Sequence, residues 1–168
     1  MIALPLLLAL AAVLVAVVLG DEPAPTAAGA DTPLALPAGP APAAGSAECA
    51  ALLAALPQRL PSGATQLDRR PLAAPVPQGT AAWGVDQTVI LRCGLDRPAE
   101  LTPTAPLLDV SGVRWLRLSG ERNHTWVAVD RPVYLALSVP DDSGTGPLQD
   151  ISTVISSTLP AQPVRSTR

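Results

Sequence analysis

The first apolar pattern in the sequence is an unbroken run from residue 2 to residue 19, which ends before the charge of Asp21. At about 1.5 Å of rise per residue, a helix of this length reaches about 27 Å, close to the thickness of a bilayer core. The pattern predicts a transmembrane anchor over residues 1–20. A cleaved secretory signal is the alternative, although Val18-Leu19-Gly20 is a poor cleavage site. In both interpretations, the remainder of the chain is exported across the membrane.

The next segment, residues 21–45, is rich in proline and alanine. Proline fixes φ and removes a backbone donor, so we expect an extended, largely unstructured spacer that holds a folded domain away from the bilayer. The folded domain is predicted over residues 46–160. Residues 161–168 are expected to form a disordered tail.

A helical pattern opens the folded part. Ser46 suits an N-cap, and Glu48 lies in the first turn, where the helix dipole favours an anion. Apolar side chains then recur at helical spacing, and Pro57 is expected to end the helix near residue 56. The apolar face predicted to be buried consists of Cys49, Leu52, Leu53, Leu56 and Leu60.

Several later segments show strand patterns. Residues 63–70 are predicted to form a short edge strand, and residues 88–92 contain an apolar run typical of a central strand. Residues 113–118 and 124–129 flank a short polar segment, which predicts an antiparallel hairpin. A further strand is predicted at residues 133–139.

A second helix is predicted near the C-terminus. Pro147 follows Gly146 and fits the first helical position, and Pro160 ends the pattern. The order of helix, antiparallel strands and helix predicts an α+β fold: a two-layer sandwich with four to five strands and both helices on one face of the sheet. The apolar positions of the second helix are Leu148, Ile151, Val154, Ile155 and Leu159.

The two cysteines of the chain, Cys49 and Cys93, are too far apart for a CxxC redox motif and lack the partners of a zinc site. An exported domain with two lone cysteines most often bonds them, so we predict a disulfide that joins the first helix to the central strand. Two buried free thiols are the alternative. Thiol catalysis needs a nearby base, and the only histidine, His124, is predicted at a turn.

Charge excludes one class of partner. All eleven basic residues are arginine, and the net charge of −3 arises from Asp21, Glu22 and Asp31, because the remaining acids balance the arginines. Nucleic-acid binding requires a dense basic face, and no such cluster is present in the sequence. We expect no nucleic-acid partner and no cofactor.

Few residues suggest catalysis or metal binding. His124 lacks the sequence partners of a catalytic triad, so we predict no catalytic residue. Residues 142–145, Asp-Ser-Gly-Thr, match the loop of an aspartic protease but occur once, and a turn before a helix explains them. Asp141, Asp142 and Asp150 are too few ligands for calcium, so no metal site is predicted.

The aromatic residues are the remaining candidates for binding. Trp115 and Trp126 are predicted to fill the core of a domain without phenylalanine. Trp83 precedes Gly84 between predicted loops, and we predict Trp83 and Arg92 as the binding residues of a glycan or peptide site.

Four sequence features together resemble a known family. They are Cys49 on an Ala/Leu-rich helix, the pair Trp83-Gly84, the motif Arg92-Cys93-Gly94 at a strand end, and Gly112-Val113-Arg114-Trp115. These features are similar to the domain of unknown function 3515 family, an actinobacterial family of short exported or membrane-anchored proteins with an Arg-Cys-Gly motif. The resemblance covers about residues 49–159 and implies a location and a fold but no mechanism.

Together these patterns favour a non-enzymatic, single-pass membrane protein whose extracytoplasmic domain binds another component of the cell envelope, protein or glycan. Secretion after signal cleavage is the alternative location. Two alternative functions are an envelope enzyme that uses Asp86, Arg92 or Asp142, and a structural subunit of a membrane complex.

Overall fold

The computed structural model describes residues 32–120 and 123–165. The described chain forms one antiparallel sheet of eight strands with two helices. The strands lie in the order β1-β2-β3-β4-β8-β7-β6-β5. The helices are α1, Ala47–Ala55, and α2, Gly146–Thr158. The strands are β1, Arg59–Ser62; β2, Thr65–Arg70; β3, Thr80–Trp83; β4, Val89–Leu95; β5, Leu107–Val110; β6, Val113–Ser119; β7, Asn123–Ala128; and β8, Tyr134–Pro140.

The sheet is curled into a half-barrel. Helix α2 contacts both edge strands, β1 and β5, and therefore spans the gap between the two edges of the sheet. The approach to β1 is close, because a Cβ atom on Gly146 would lie 2.9 Å from the Pro61 carbonyl oxygen. Curling lets one helix cover both ends of a sheet that has a right-handed twist.

The predicted two-layer sandwich with four to five strands is wrong, because three short strands were missed. Strands β1, β3 and β5 have four residues each, too few for a clear alternation of apolar and polar side chains. Strand β1 contains Pro61, which is tolerated only at a sheet edge, and β3 contains Ala81 and Ala82, which have low strand propensity.

The two predicted helices and the hairpin are confirmed. The Ser46 hydroxyl accepts a hydrogen bond from the Cys49 amide at 3.2 Å, and α1 ends before Pro57. Helix α2 has Pro147 in its first turn. Strands β6 and β7 pair antiparallel in the predicted hairpin.

The main core lies between the sheet and the two helices. Helix α1 contributes Cys49 and Leu52, and α2 contributes Leu148, Ile151 and Ile155. A second apolar cluster occupies the other face of the sheet, where Leu101 of the 96–106 loop covers it. The remaining buried members of this second cluster are Leu116, Val127, Val129, Tyr134 and Ala136.

The segments on either side of the domain also contact it. Leu34 forms a β-bridge with Leu72, and the Ala43 amide donates to the Gly94 carbonyl at 3.0 Å. In the predicted tail, the Gln162 amide donates to the Asp130 carbonyl at 2.8 Å, and the Arg165 guanidinium lies 5.2 Å from the Tyr134 ring centroid. Residues 32–45 and 161–165 are thus part of the packed structure.

No helix in residues 32–120 or 123–165 combines the length and the hydropathy that a membrane span requires. The predicted anchor at residues 1–20 lies outside the described residues.

Candidate functional site

Trp83, predicted as a binding residue, lies in the core. Its side chain has 0% exposed surface, and its indole Nε1 donates to the Pro57 carbonyl oxygen at 2.9 Å. This hydrogen bond joins the last residue of β3 to the chain just after α1. Trp83 therefore acts on the surface only through the residues that cover it.

Arg69 covers Trp83 from the neighbouring strand. Arg69 and Trp83 are directly paired across β2 and β3, and the Arg69 guanidinium carbon lies 4.8 Å from the indole centroid. Burial lowers the pKa of the Arg69 guanidinium, although the side chain is only half-buried. Among the described residues, no hydrogen-bond acceptor contacts this guanidinium. Arg69 is thus a partly desolvated cation whose N–H donors are not used within the described structure.

A groove next to Arg69 forms where β2 and β3 separate. Gly84 follows Trp83 with a φ of +79°, and a Cβ at this position would overlap the Gln87 carbonyl oxygen. Glycine adopts this left-handed conformation without strain, so the chain turns away from β2 immediately after β3. The resulting cavity of about 400 Å³ is bounded by β2 and by residues 84–87. We call this cavity the Arg69 groove.

Hydrogen bonds hold the second wall of the Arg69 groove in place. The Thr88 hydroxyl donates to the Val85 carbonyl at 2.9 Å, and the Gln87 amide nitrogen donates to Asp142 Oδ2 at 2.5 Å. The Arg70 Nη1 atom reaches across from β2 to the Gly84 and Val85 carbonyls at 3.5 and 3.4 Å. The two walls are therefore fixed relative to each other at this end of the groove.

The charges of the groove differ in how they are compensated. Asp68 accepts a hydrogen bond from Arg59 Nε at 2.8 Å, and the Arg70 guanidinium donates to backbone carbonyl oxygens. Asp86 lies exposed on the opposite wall, and no hydrogen bond or ion pair to it is found in the described chain. Arg69 and Asp86 are therefore the charges available to a ligand. A second shallow cavity of about 450 Å³ lies beside Arg69 near Val76.

Arg92, the other predicted binding residue, holds a segment of the chain itself. Its Nη2 atom donates to the Pro37 carbonyl oxygen at 2.9 Å, and its side chain lines a cavity of about 230 Å³ with Gly39 and Gln78. Arg92 and Trp83 therefore do not share a site. The next two residues of the motif, Cys93 and Gly94, contact the same N-terminal segment of the domain.

The predicted disulfide between Cys49 and Cys93 is confirmed, with a Cα–Cα distance of 5.7 Å. The next residue, Gly94, has a φ of +85°, and a Cβ on it would overlap the backbone of Ala43 and Ala44. The Arg-Cys-Gly motif thus fixes residues 37–49 to β4 by a side-chain hydrogen bond, a covalent bond and a close backbone contact.

A cluster around His124 was not predicted. Arg117 Nη2 lies 2.6 Å from His124 Nε2, and Asp141 Oδ1 lies 3.4 Å from the same nitrogen. Arg117 also stacks on Trp126, at 5.7 Å from the ring centroid. These residues line a cavity of about 260 Å³ that reaches Thr145 before α2. The sequence contains a signal for part of this cluster. In the predicted β6–β7 hairpin, the strand register pairs Arg117 directly with Trp126.

The remaining sequence candidates lie in a short turn. Residues Asp141–Ser143 form a 3₁₀ helix between β8 and α2, and Asp142 accepts a hydrogen bond from Gln87. Asp150 lies exposed in α2. Within residues 32–120 and 123–165, no three His, Cys, Asp or Glu side chains form a group suited to a metal ion.

A family model described as a protein of unknown function, DUF3515, matches residues 2–164. The chain therefore belongs to the domain of unknown function 3515 family, as the resemblance of its motifs implied. No curated protein and no solved structure matches the chain.

Proposed function

We propose that the chain is a membrane-tethered extracytoplasmic module that binds another component of the cell envelope in the Arg69 groove. The apolar run at residues 2–19 and the proline-rich segment after it support tethering. The Cys49–Cys93 disulfide supports an oxidising location, because disulfides persist mainly outside the cytoplasm. Secretion after cleavage is compatible with the same binding function.

One observation carries the binding role: the unused donors of Arg69. Partial burial of a cation costs free energy unless hydrogen bonds or an opposite charge compensate it. Arg70, the next residue, has backbone carbonyl partners, whereas among the described residues Arg69 has only the face of Trp83. Partly desolvated donors that border a groove of about 400 Å³ are typical of a binding site in the free state.

The alternative of an envelope enzyme has less support from the geometry. Arg92 is bound to the Pro37 carbonyl and lines a different cavity from Asp86. Asp142 accepts a hydrogen bond from Gln87. The three residues proposed for catalysis thus do not converge on one cavity, although the His124 cluster remains available to a general-base hypothesis.

Photo-crosslinking in intact cells tests the proposal. Val85, 36% exposed on the wall of the groove, is replaced by p-benzoylphenylalanine in the full-length chain expressed in its own host. We expect a discrete adduct after irradiation, and we expect Arg69→Gln to abolish it. The matched control carries the same photoreactive residue at Leu108, which is 49% exposed on the edge strand β5.

The outcomes separate binding from random contact. An adduct from Val85 that is absent from Leu108 and depends on Arg69 supports the proposal. The proposal is wrong if Val85 gives no adduct, or if Val85 and Leu108 give the same adducts regardless of Arg69.

A further inference from the structure

We infer that the Arg69 groove binds an extended peptide segment, which adds to β2 as a strand and places a carboxylate on Arg69. This inference rests on the proposed function and specifies the chemistry of the partner. It is carried by three properties of the groove: an open backbone edge, and a guanidinium and a facing carboxylate that have no hydrogen-bond or ion-pair partner in residues 32–120 and 123–165.

The open edge follows from the register of β2. The Arg69 amide donates to the Gln58 carbonyl and therefore points toward the β1 side, whereas the Asp68 carbonyl accepts from the Gly84 amide on the β3 side. Because backbone groups alternate along a strand, the N–H and C=O of Gln66 also point toward the β3 side. Pairing between β2 and β3 includes only Arg69 and Arg70, so the Gln66 peptide groups face the groove without a ladder partner.

The position of Pro61 agrees with this assignment. Pro61 pairs with Gln66 across β1 and β2 and has no N–H to donate. A proline is tolerated there because its nitrogen points away from β2, toward the outer edge of the sheet. That outer edge is contacted by α2, since Gly146 packs against Pro61. The interior gap beside Gln66 is thus more accessible to an added strand than the β1 edge.

The unused guanidinium specifies a carboxylate. The planar fork of an arginine matches the two oxygens of a carboxylate, and stacking on Trp83 holds the Arg69 side chain before the ligand arrives. Asp68 does not compete for this role, because Arg59 holds it at 2.8 Å. Asp86 on the facing wall favours an amino or guanidinium group of the same peptide, which fixes its direction.

The surface favours a peptide over a glycan. A sugar ring packs its apolar face against an exposed aromatic ring, and Trp83 offers no exposed surface. Strand addition instead uses main-chain hydrogen bonds for affinity and side-chain contacts for specificity. Three residues paired along Thr65–Leu67 span about 10 Å, at about 3.3 Å per residue. The apolar part of such a peptide meets Leu67 and the exposed Val85.

The test selects ligands from a phage library of random heptapeptides on the immobilised, disulfide-bonded full-length chain. We expect the enriched peptides to share an Asp or Glu at one position. The affinity of one synthesised peptide is then measured by fluorescence anisotropy. Arg69→Gln is expected to weaken binding at least tenfold, whereas the control Arg114→Gln, at an exposed arginine of β6, changes it less than twofold.

Two further measurements distinguish a strand from a simple ion pair. Replacement of the peptide acid by its amide is expected to cause the same loss as Arg69→Gln, and the two changes together should cost no more than one. N-methylation of each peptide nitrogen in turn is expected to weaken binding at alternate residues, since only every second amide of a strand faces its neighbour.

Several results overturn the inference. They are the enrichment of peptides without a shared acid, equal binding to Arg69→Gln, and no alternate-residue pattern in the N-methyl series. The Val85 adduct distinguishes this failure from that of the proposed function. An Arg69-dependent adduct whose added mass is removed by a glycan hydrolase supports the binding module and contradicts the peptide. Absence of any adduct contradicts both.

Discussion

Two arginines stack on tryptophans across antiparallel strands, one at each end of the sheet. Arg69 pairs with Trp83 between β2 and β3, and Arg117 pairs with Trp126 between β6 and β7. The distances from the guanidinium carbon to the ring centroid are 4.8 and 5.7 Å. The two pairs share residue types and register, so their differences arise from the surroundings.

The surroundings differ in burial and in hydrogen-bond partners. Trp83 is fully buried and donates to Pro57, whereas Trp126 is half-buried and no acceptor contacts its indole nitrogen in the described chain. Arg117 is exposed and contacts His124 at 2.6 Å, while Arg69 is half-buried and has no such partner among the described residues. The exposed arginine has a side-chain partner, and the partly desolvated one does not.

This difference shows how an arginine–tryptophan pair that only stabilises the fold can be distinguished from one that binds a ligand. A surface cation that contacts its own neighbours needs no external ligand to compensate its charge. A cation held half-buried on an aromatic face, with its donors directed to no acceptor, loses hydration without full compensation. Such an arrangement persists when it has a use outside folding stability, and we assign that use to the Arg69 groove.

The largest expected effect on stability comes from replacing the two tryptophans. Trp83→Ala is expected to cost about 5 kcal/mol of the free energy of unfolding, at the upper end of core tryptophan truncations, because the Pro57 carbonyl also loses its donor. Trp126→Ala is expected to cost about 2 kcal/mol, because the side chain is already partly hydrated. Urea denaturation measures both values. Equal losses at the two sites would contradict the assignment of Trp83 as the core member.

The next effect tests how much the disulfide stabilises the half of the sheet that contains Trp83. The disulfide joins Cys49 of α1 to Cys93 of β4, two residues whose sequence separation is 44. Replacement of both cysteines by alanine is expected to cost about 4 kcal/mol, since the unfolded chain regains the entropy of a loop of that size. Urea unfolding in oxidising buffer measures the loss, and reduced wild type is the control. A loss below about 1 kcal/mol would show that packing alone holds α1 on β4.

A smaller effect tests whether the Arg69 groove depends on the glycine at position 84. Gly84 and Gly112 both have positive φ, of +79° and +74°, but only a Cβ on Gly84 would overlap other atoms. Gly112→Ala is expected to cost about 1 kcal/mol from backbone strain alone, and Gly84→Ala about 3 kcal/mol, because the 84–87 turn must also move. Thermal unfolding compares the two. Equal costs would mean that the turn tolerates a side chain and does not depend on glycine.

Local patterns predicted part of this structure from the sequence. Ser46 and Pro57 mark the ends of α1, and the polar gap between two apolar segments marks the β6–β7 hairpin, because these signals depend on neighbouring residues only. The number of strands did not follow, since β1, β3 and β5 are four-residue strands whose formation depends on the sheet around them.

The candidate site was predicted one strand away from its centre. Trp83 was identified for its type, but its burial is set by the pairing of β3 with β2, which the sequence does not specify. The segment Leu67-Asp68-Arg69-Arg70 contains a usable signal: the strand period of two places Arg69 on the same side as the buried Leu67. Its place on the same face as Leu67 is the feature that distinguishes Arg69 from Asp68 and Arg70, which lie on the opposite face of the strand.

The smallest effect has an informative sign. Arg69→Leu removes a partly desolvated cation and lets an apolar side chain pack on Trp83, so we expect the free energy of unfolding to stay within about 0.5 kcal/mol of wild type or to rise by about 1 kcal/mol. Arg117→Leu removes the contact with His124 and exposes an apolar side chain, so we expect a loss of about 0.5 to 1 kcal/mol. Urea denaturation at low salt resolves the pair. A loss of more than about 2 kcal/mol for Arg69→Leu would make Arg69 a structural residue, because the folded state would then depend on its guanidinium. If Arg69→Leu is neutral or stabilising and also fails to form the Val85 adduct, the role of the Arg69 guanidinium is to bind a ligand and not to stabilise the fold.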